Sequence, residues 1–331
     1  MIKKLILLLV IGAIAASGAY YFWSINKKGD YSAQNFYIEK GDGAKEISIK
    51  LKDKKIIKDK NVFVAYATIS SKAGKFIPGD HVLQANLNVK EIVDLLTSID
   101  NINKEMKITI LEGWSIKEIA KYLSDLDVVR EEQFLQAADV DLWRDEYDFL
   151  ESSKIKSLEG FLFPDTYRIF IGSSADNIIA KMLHNYDSKV TLQMRKDAES
   201  KQLDLNQIMT MASIIEKEAK YKQDKKMVAD VFWKRIEIGM ALQSDATVNY
   251  LTGKGETRSK GSDLEIDSPY NTYKYRGLPP GPICNPGIDS ISAAIYPQAN
   301  EYLYFITDTT GKAVYAKTFD EHKANIAKYL D

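Results

Sequence analysis

The longest unbroken apolar run in the chain lies at its start. After Lys3 and Lys4 no charged residue occurs until Lys27; residues 5–14 are almost wholly apolar, and Tyr20, Tyr21, Phe22 and Trp23 follow. A bilayer core takes about 20 apolar residues and aromatic rings favour its interface. Residues 1–26 are therefore expected to form a transmembrane anchor, in the membrane through residues 5–23. Ala15-Ala16-Ser17 has the small side chains of a signal-peptide cleavage site, but the aromatic cluster beyond it favours an uncleaved anchor. Lys3, Lys4 and the terminal amine favour an N-terminus inside the cytoplasmic membrane, and Lys27 and Lys28 oppose that bias. In either case the body of the protein works outside the cytoplasm.

Beyond a polar linker, residues 27–35, the spacing of apolar positions predicts a small module over 36–100. Residues 36–38 read as a strand, Gly41-Asp42-Gly43 as a turn, 44–51 and 62–69 as helices, 81–83 as a strand and 89–96 as a helix. A larger unit follows over 101–331. Its pattern predicts a strand at 106–111 and a helix from the capping box at Ser115-Ile116-Lys117-Glu118 to residue 123. Helices are also predicted at 131–138, 142–149, 204–220, 224–238, 290–295 and 318–330, with a late strand at 302–307. The fold class is α+β. Leu-Glu-Gly followed by an aromatic residue occurs at 111–114 and again at 158–161, too short a match to define a repeat. Residues 252–263 look like an exposed loop. Five of the eight prolines lie between Pro269 and Pro286, with Gly277, Gly281 and Gly287 among them. Such a stretch cannot be a regular element, because proline removes donors and glycine frees φ. A long fixed loop carrying Tyr270, Asn271, Tyr273 and Tyr275 suits a binding surface.

Charge and composition narrow the chemistry. A formal net charge of −1 leaves no excess positive charge for phosphates and argues against a nucleic-acid partner. Cys284 is the single cysteine, so no internal disulfide can form. His81, His184 and His322 are far apart and show no metal-ligand spacing. Neither a phosphate loop nor a dinucleotide fingerprint is present, and no cofactor is expected. Carboxylates, amides and aromatic rings remain, a set suited to binding and cleaving sugars.

Two of those carboxylates stand out. At about 100° per residue, Ile208, Met211, Ala212, Ile215 and Ala219 form one apolar stripe. Glu218 falls beside Met211 on one edge and Glu216 beside Ala212 on the other. A carboxyl against apolar surface is disfavoured as an anion and can hold a proton near neutral pH, as a general acid must. Helical geometry alone does not choose between the two, and on charge patterning alone Glu-Lys-Glu reads as a solvated edge.

Several ordered motifs carry a resemblance. Met211-Ala212-Ser213-Ile214-Ile215-Glu216-Lys217-Glu218, the run from Leu158 to Tyr167 (LEGFLFPDTY), Leu242-Gln243-Ser244-Asp245, Tyr270-Asn271-Thr272-Tyr273, the run from Gly277 to Ile283 (GLPPGPI) and Asn285-Pro286-Gly287 resemble the YceG-like endolytic murein transglycosylases, the MltG family. The likeness covers most of the chain and is weakest over 36–98, where that family carries a LysM-like module. Ala246 stands where the family usually has proline. Lys323 and Ala324 separate His322 from Asn325 where the family often reads His-Asn, which leaves His322 without an assigned role.

The resemblance implies a membrane-anchored lyase that cuts the MurNAc–GlcNAc bond inside nascent peptidoglycan strands and leaves 1,6-anhydro-MurNAc ends. It assigns catalysis to Glu218, as acid and then base. Gln243, Ser244, Asp245, Tyr270, Asn271 and Thr272 become candidates to hold the sugars, and Glu216 an ion-pairing or supporting residue. Peptidoglycan strands are the implied partner. A peptidoglycan synthase would suit an enzyme that trims new strands, although no residue marks one. The alternatives are a non-catalytic glycan-binding scaffold and a muramidase that adds water.

Overall fold

A computed structural model describes residues 2–98, 105–170, 173–254 and 261–330; the side chains of residues 1–11, 13, 14, 80 and 105 lie outside the description. The chain divides into two compact units, residues 1–106 with 170–172, and residues 107–169 with 173–331.

The first unit begins with α1 (Ile2–Asn26), then β1 (Gln34–Ile38), α2 (Ala44–Asp53), α3 (Lys60–Ile69), β2 (Gly79–Leu83) and α4 (Val89–Leu96). The two strands pair antiparallel from Gln34 opposite Leu83 to Ile38 opposite Gly79. A two-stranded ribbon is marginal alone, and here Phe36, Ile38 and Leu83 pack with Ile47, Leu51, Phe63, Ile92 and Leu96 from the helices. Asn88 and Glu91 close a capping box that starts α4 one residue before its first apolar position. Among the described residues, no helix is long and apolar enough to cross a membrane. Most of the run at 5–14, on which the anchor expectation rests, has side chains outside the description.

The second unit is built from β3 (Glu105–Thr109), α5 (Ile116–Asp125), α6 (Glu131–Ala137), β4 (Thr166–Phe170), α7 (Ala175–Lys189), α8 (Leu192–Ser200), α9 (Leu205–Glu218), α10 (Lys222–Glu237), α11 (Asp245–Thr252), α12 (Gly261–Leu264), α13 (Ile288–Ile295), β5 (Tyr304–Thr307), β6 (Ala313–Ala316) and α14 (Phe319–Tyr329). β3 pairs with β4, and β5 with β6. α9 is its axis, packed by α8, α10, α11 and α13. Asp204 and Gln207 cap it reciprocally. Every residue from Ile208 to Ile215 is buried, so the helix is enclosed all round through its middle. Its two central polar side chains turn inward onto the backbone: Thr210 Oγ1 donates to Asn206 O, and Ser213 Oγ to Thr210 O. The Ser213 hydroxyl also accepts from Ile283 N at 3.0 Å, which moors the proline-rich loop to the middle of α9.

Three predicted spans change. The helix expected at 142–149 is a pair of short 3-10 turns, Val140–Leu142 and Asp148–Leu150. Arg144 explains the difference: its guanidinium takes the carbonyls of Leu150, Ser152 and Ile155, so that tertiary donors replace a helical ladder. The helix expected to reach 220 stops at Glu218. Ala219 is extended, and the Glu218 carbonyl accepts from Thr307 Oγ1 of β5 instead of continuing the helix. The elements β4, α7, α8, α11, α12 and β6 had no counterpart in the sequence reading. The expected exposed loop at 252–263 lies partly outside the described residues, and its described end begins the helix α12, where Asp263 is buried and pairs with Lys254 at 2.7 Å.

Candidate active site

Glu218 is the last helical residue of α9, where the helix dipole presents partial negative charge. Its side chain keeps some exposure while the carboxyl lies deep among protein atoms. Burial, chiefly, raises its pKa, and the nearby Asp245 carboxylate adds to the rise. Three groups oppose that rise. Ser244 Oγ donates to Glu218 Oε1 at 2.5 Å, the Ala246 backbone donates to the carboxyl, and the Arg235 guanidinium supplies positive charge. Ser244 is the N-cap residue of α11, so the carboxyl of one helix end faces the electropositive start of another. A group that must both give and take a proton needs such balance, because either protonation state must be reachable.

The 243–246 turn is held from below. Gln243 N donates to Thr272 O at 3.2 Å, Ser244 N to Thr272 Oγ1 at 3.0 Å, and the Thr272 and Thr247 hydroxyls bond at 2.9 Å. Gln243 takes φ +52°, a conformation a non-glycine residue seldom adopts, and its side chain is exposed. Local strain of this kind persists only where surrounding bonds over-determine it. Tyr273 OH donates to Asp245 Oδ1 at 3.1 Å. Arg235 is buried in α10, with Nε on Leu303 O and Nη1 on Leu242 O, both at 2.7 Å. Its guanidinium lies 5.3 Å from the Tyr304 ring centre, and His322 stacks on that ring at 5.3 Å. Burial and Arg235 lower the His322 pKa.

The residues expected to hold sugars fall into three groups. Gln243, Ser244 and Asp245 meet Glu218 at the start of α11. Asn271 and Thr272 are buried and their polar atoms are spent internally: Asn271 Nδ2 donates to Leu264 O and Ile266 O, and its Oδ1 accepts from Tyr273 N. They shape the loop beneath the turn and present nothing to a ligand. Tyr270 packs on Tyr250 with ring centres 5.2 Å apart.

Glu216 sits in a different environment. Oε1 pairs with Lys225 Nζ at 2.8 Å, and Oε2 accepts from Gly287 N at 3.0 Å and Ser290 Oγ at 2.6 Å. Its acceptors are committed to α10 and to the start of α13, which makes it a joint between three helices.

The paired Leu-Glu-Gly segments embrace the loop from Pro282 to Gly287. Gly113 and Gly160 have φ of +81° and +89°. Gly113 N donates to Asn285 O, and Asn285 N to Trp114 O, both at 2.8 Å. Asn285 Nδ2 donates to Glu159 Oε1 at 3.1 Å, and Leu162 N to Asn285 Oδ1 at 2.9 Å. Burial pushes the Glu159 carboxyl up to about 8, against the pull of the Ile116 N–H. Sequence reasoning did not single out Arg235. Arg235 had a readable signal, a charge on the buried face of α10 marked by Val228, Val231 and Phe232.

A buried glutamate with a raised pKa, where two helix ends meet, defines a candidate acid–base site on an α+β scaffold. The chain belongs to the YceG-like family, whose model matches residues 36–328. It is 33% identical over 315 residues to an endolytic murein transglycosylase of Bacillus subtilis, covering 92% of this chain and 87% of that protein. A Streptococcus pneumoniae protein of the same name is 30% identical over 320 residues, 89% of this chain and 58% of the longer relative. Among solved structures, a putative YceG-like protein from Listeria monocytogenes matches with a TM-score of 0.61 and 34% identity, over 88% of this chain and 99% of that one.

Proposed function

We propose that this protein is an endolytic lytic transglycosylase of peptidoglycan, with Glu218 as its acid and base. The observation that carries the reading is the Glu218 carboxyl itself: buried enough to hold a proton, yet met by Ser244, Ala246 and Arg235, which make its anion accessible. Protonated Glu218 donates to the glycosidic oxygen. The C1–O bond breaks, the leaving sugar departs with that proton, and positive charge develops at C1 of the muramic acid. The Glu218 carboxylate then removes the proton of the C6 hydroxyl as O6 bonds to C1, closing the anhydro ring. Glu218 ends protonated and no water is consumed, so one carboxyl suffices where hydrolysis uses two. Asp245, which accepts a hydrogen bond from Tyr273, is the candidate to stabilise the developing positive charge. Gln243 and Tyr270 are the candidates for sugar contact.

The first unit, with its own core and β–α–α–β order closed by α4, fits a separate LysM-like module. Residues 5–23 fit a single-pass anchor in the cytoplasmic membrane with the N-terminus inside. Resistance of the chain to alkaline carbonate extraction tests the anchor. Mass analysis of digested glycan strands tests the reaction. Anhydro ends are expected from the native chain and none from Glu218→Gln. Reducing ends would replace the reading with a hydrolase in which Asp245 activates water, and uncut strands with a scaffold. Anhydro ends made by Glu218→Gln would remove Glu218 from the acid role.

A further inference from the structure

The N-terminal unit holds a cavity of about 90 Å³ beside the last turns of α1. That is room for several water- or methylene-sized groups, since one needs roughly 10–15 Å³ by the same measure. Its apolar lining includes Ile56, Ile57, Val62 and Ile92, each itself buried, and its mouth carries Lys27, Lys28 and Lys58. All three lysines are exposed. Asp59, the acid among the lining residues, is already engaged: Oδ1 caps α3 through Asn61 N at 2.8 Å, and Oδ2 accepts from Tyr20 OH at 3.3 Å. Three lysines against that one carboxylate leave the rim net cationic. On α1, Tyr20, Phe22 and Trp23 are 53, 67 and 55% exposed, and Lys27 Nζ lies 4.3 Å from the centre of the Trp23 ring. Rings with an apolar body and a polar tip suit the headgroup zone of a bilayer.

An apolar lining under a cationic rim matches a molecule that is anionic at one end and aliphatic at the other. We propose that this cavity binds an anionic glycerophospholipid, with its phosphate between Lys27, Lys28 and Lys58 and the first methylenes of its chains against Ile56, Ile57 and Val62. A lipid seated there would fix the unit against the bilayer surface. The inference rests on the anchoring reading of residues 5–23 but not on the reaction assigned to Glu218.

The test uses the full chain in uncharged detergent micelles. Short-chain dihexanoyl phosphatidylglycerol, the matching phosphatidylcholine and glycerol phosphate are titrated separately, and native mass spectrometry counts the bound molecules. One phosphatidylglycerol per chain is expected, held at least tenfold more tightly than phosphatidylcholine. At about fivefold per lysine near a phosphate, neutralising three should weaken it by about a hundredfold at low salt. The variant for this is Lys27→Gln with Lys28→Gln and Lys58→Gln, all at exposed positions. Val62→Trp, which fills the cavity and leaves the lysines, should also abolish binding. Release of anhydro ends from soluble strands should be unchanged in the lysine variant, which separates this proposal from the catalytic one. Equal retention of the two lipids, full binding by the lysine variant, or glycerol phosphate binding as well as the lipid would each overturn it. Failure of carbonate extraction to retain the chain in membranes would remove the anchor without touching this measurement.

Discussion

Replacing Ser244 by alanine isolates one of the opposing influences on Glu218. The Ser244 hydroxyl donates to Glu218 Oε1 and is itself buried, so no solvent molecule substitutes for it at the same geometry. A hydrogen bond to a charged group contributes about 1.5–3 kcal/mol, and one pKa unit corresponds to about 1.36 kcal/mol. Because the donor favours the ionised carboxyl, its loss should raise the Glu218 pKa by about 1–2 units. The acid must be protonated in the free enzyme, so the alkaline limb of kcat/KM should move upward by the same amount. The side chain of Ser244 makes no capping bond to α11, and the start of that helix does not depend on the hydroxyl. The assay is release of anhydro-muropeptides from purified uncross-linked strands across the pH range, with Ser244→Thr as the variant that keeps the hydroxyl. A limb that stays in place or moves toward acid in Ser244→Ala would refute the balance argued for this site.

Other positions make separate demands. Burial holds the Glu159 carboxyl at about 8 against 4.5 when unfolded, so between those values the unfolded chain releases a proton that the folded chain keeps and stability falls as pH rises. The accumulated loss is about 5 kcal/mol, and Glu159→Gln, which mimics the protonated form, should flatten the slope in urea titrations across that window; an unaltered slope would count against it. Glu216→Ala leaves Lys225 charged in a site where the two side chains are 9 and 5% exposed. It should cost about 3–5 kcal/mol in guanidinium unfolding, and a loss near zero would mean the pair is not buried in solution. Gly160 has φ +89°, and a Cβ there would sit 2.6 Å from Pro282 Cγ. Gly160→Ala should destabilise the fold by about 1–3 kcal/mol for backbone strain and a similar amount for overpacking, read as a fall in Tm.

Much of the architecture is written in local pattern. The capping boxes at Ser115-Glu118 and Asp204-Gln207 start helices where they predict. Gly239, at φ +68°, lies just beyond α10, and the proline-rich stretch forms no regular element. These are short-range effects, in which a side chain or a restricted φ acts on backbone within a turn of itself. Of the elements left unread, the strands β4 and β6 are only five and four residues long, too short for periodicity to separate from noise. At 142–149 the local pattern was overruled by Arg144, whose hydrogen bonds reach up to eleven residues along the chain.

The site divides along the same line. Two acids at the end of a buried helix were legible, and the ordered motifs, together with the resemblance they carry, pointed to Glu218. What each acid does was decided by partners from distant sequence. Lys225 and the start of α13 take up the acceptors of Glu216, while Ser244 donates a hydrogen bond to Glu218 and Arg235 lends it positive charge. Asn271 and Thr272 were legible as polar residues beside the site, yet burial turned them inward to hold the 243–246 turn. Periodicity gives the angle of a side chain about its own helix axis. It carries no information about which charge or hydroxyl another segment brings to that angle, and that is what sets a carboxyl's affinity for its proton.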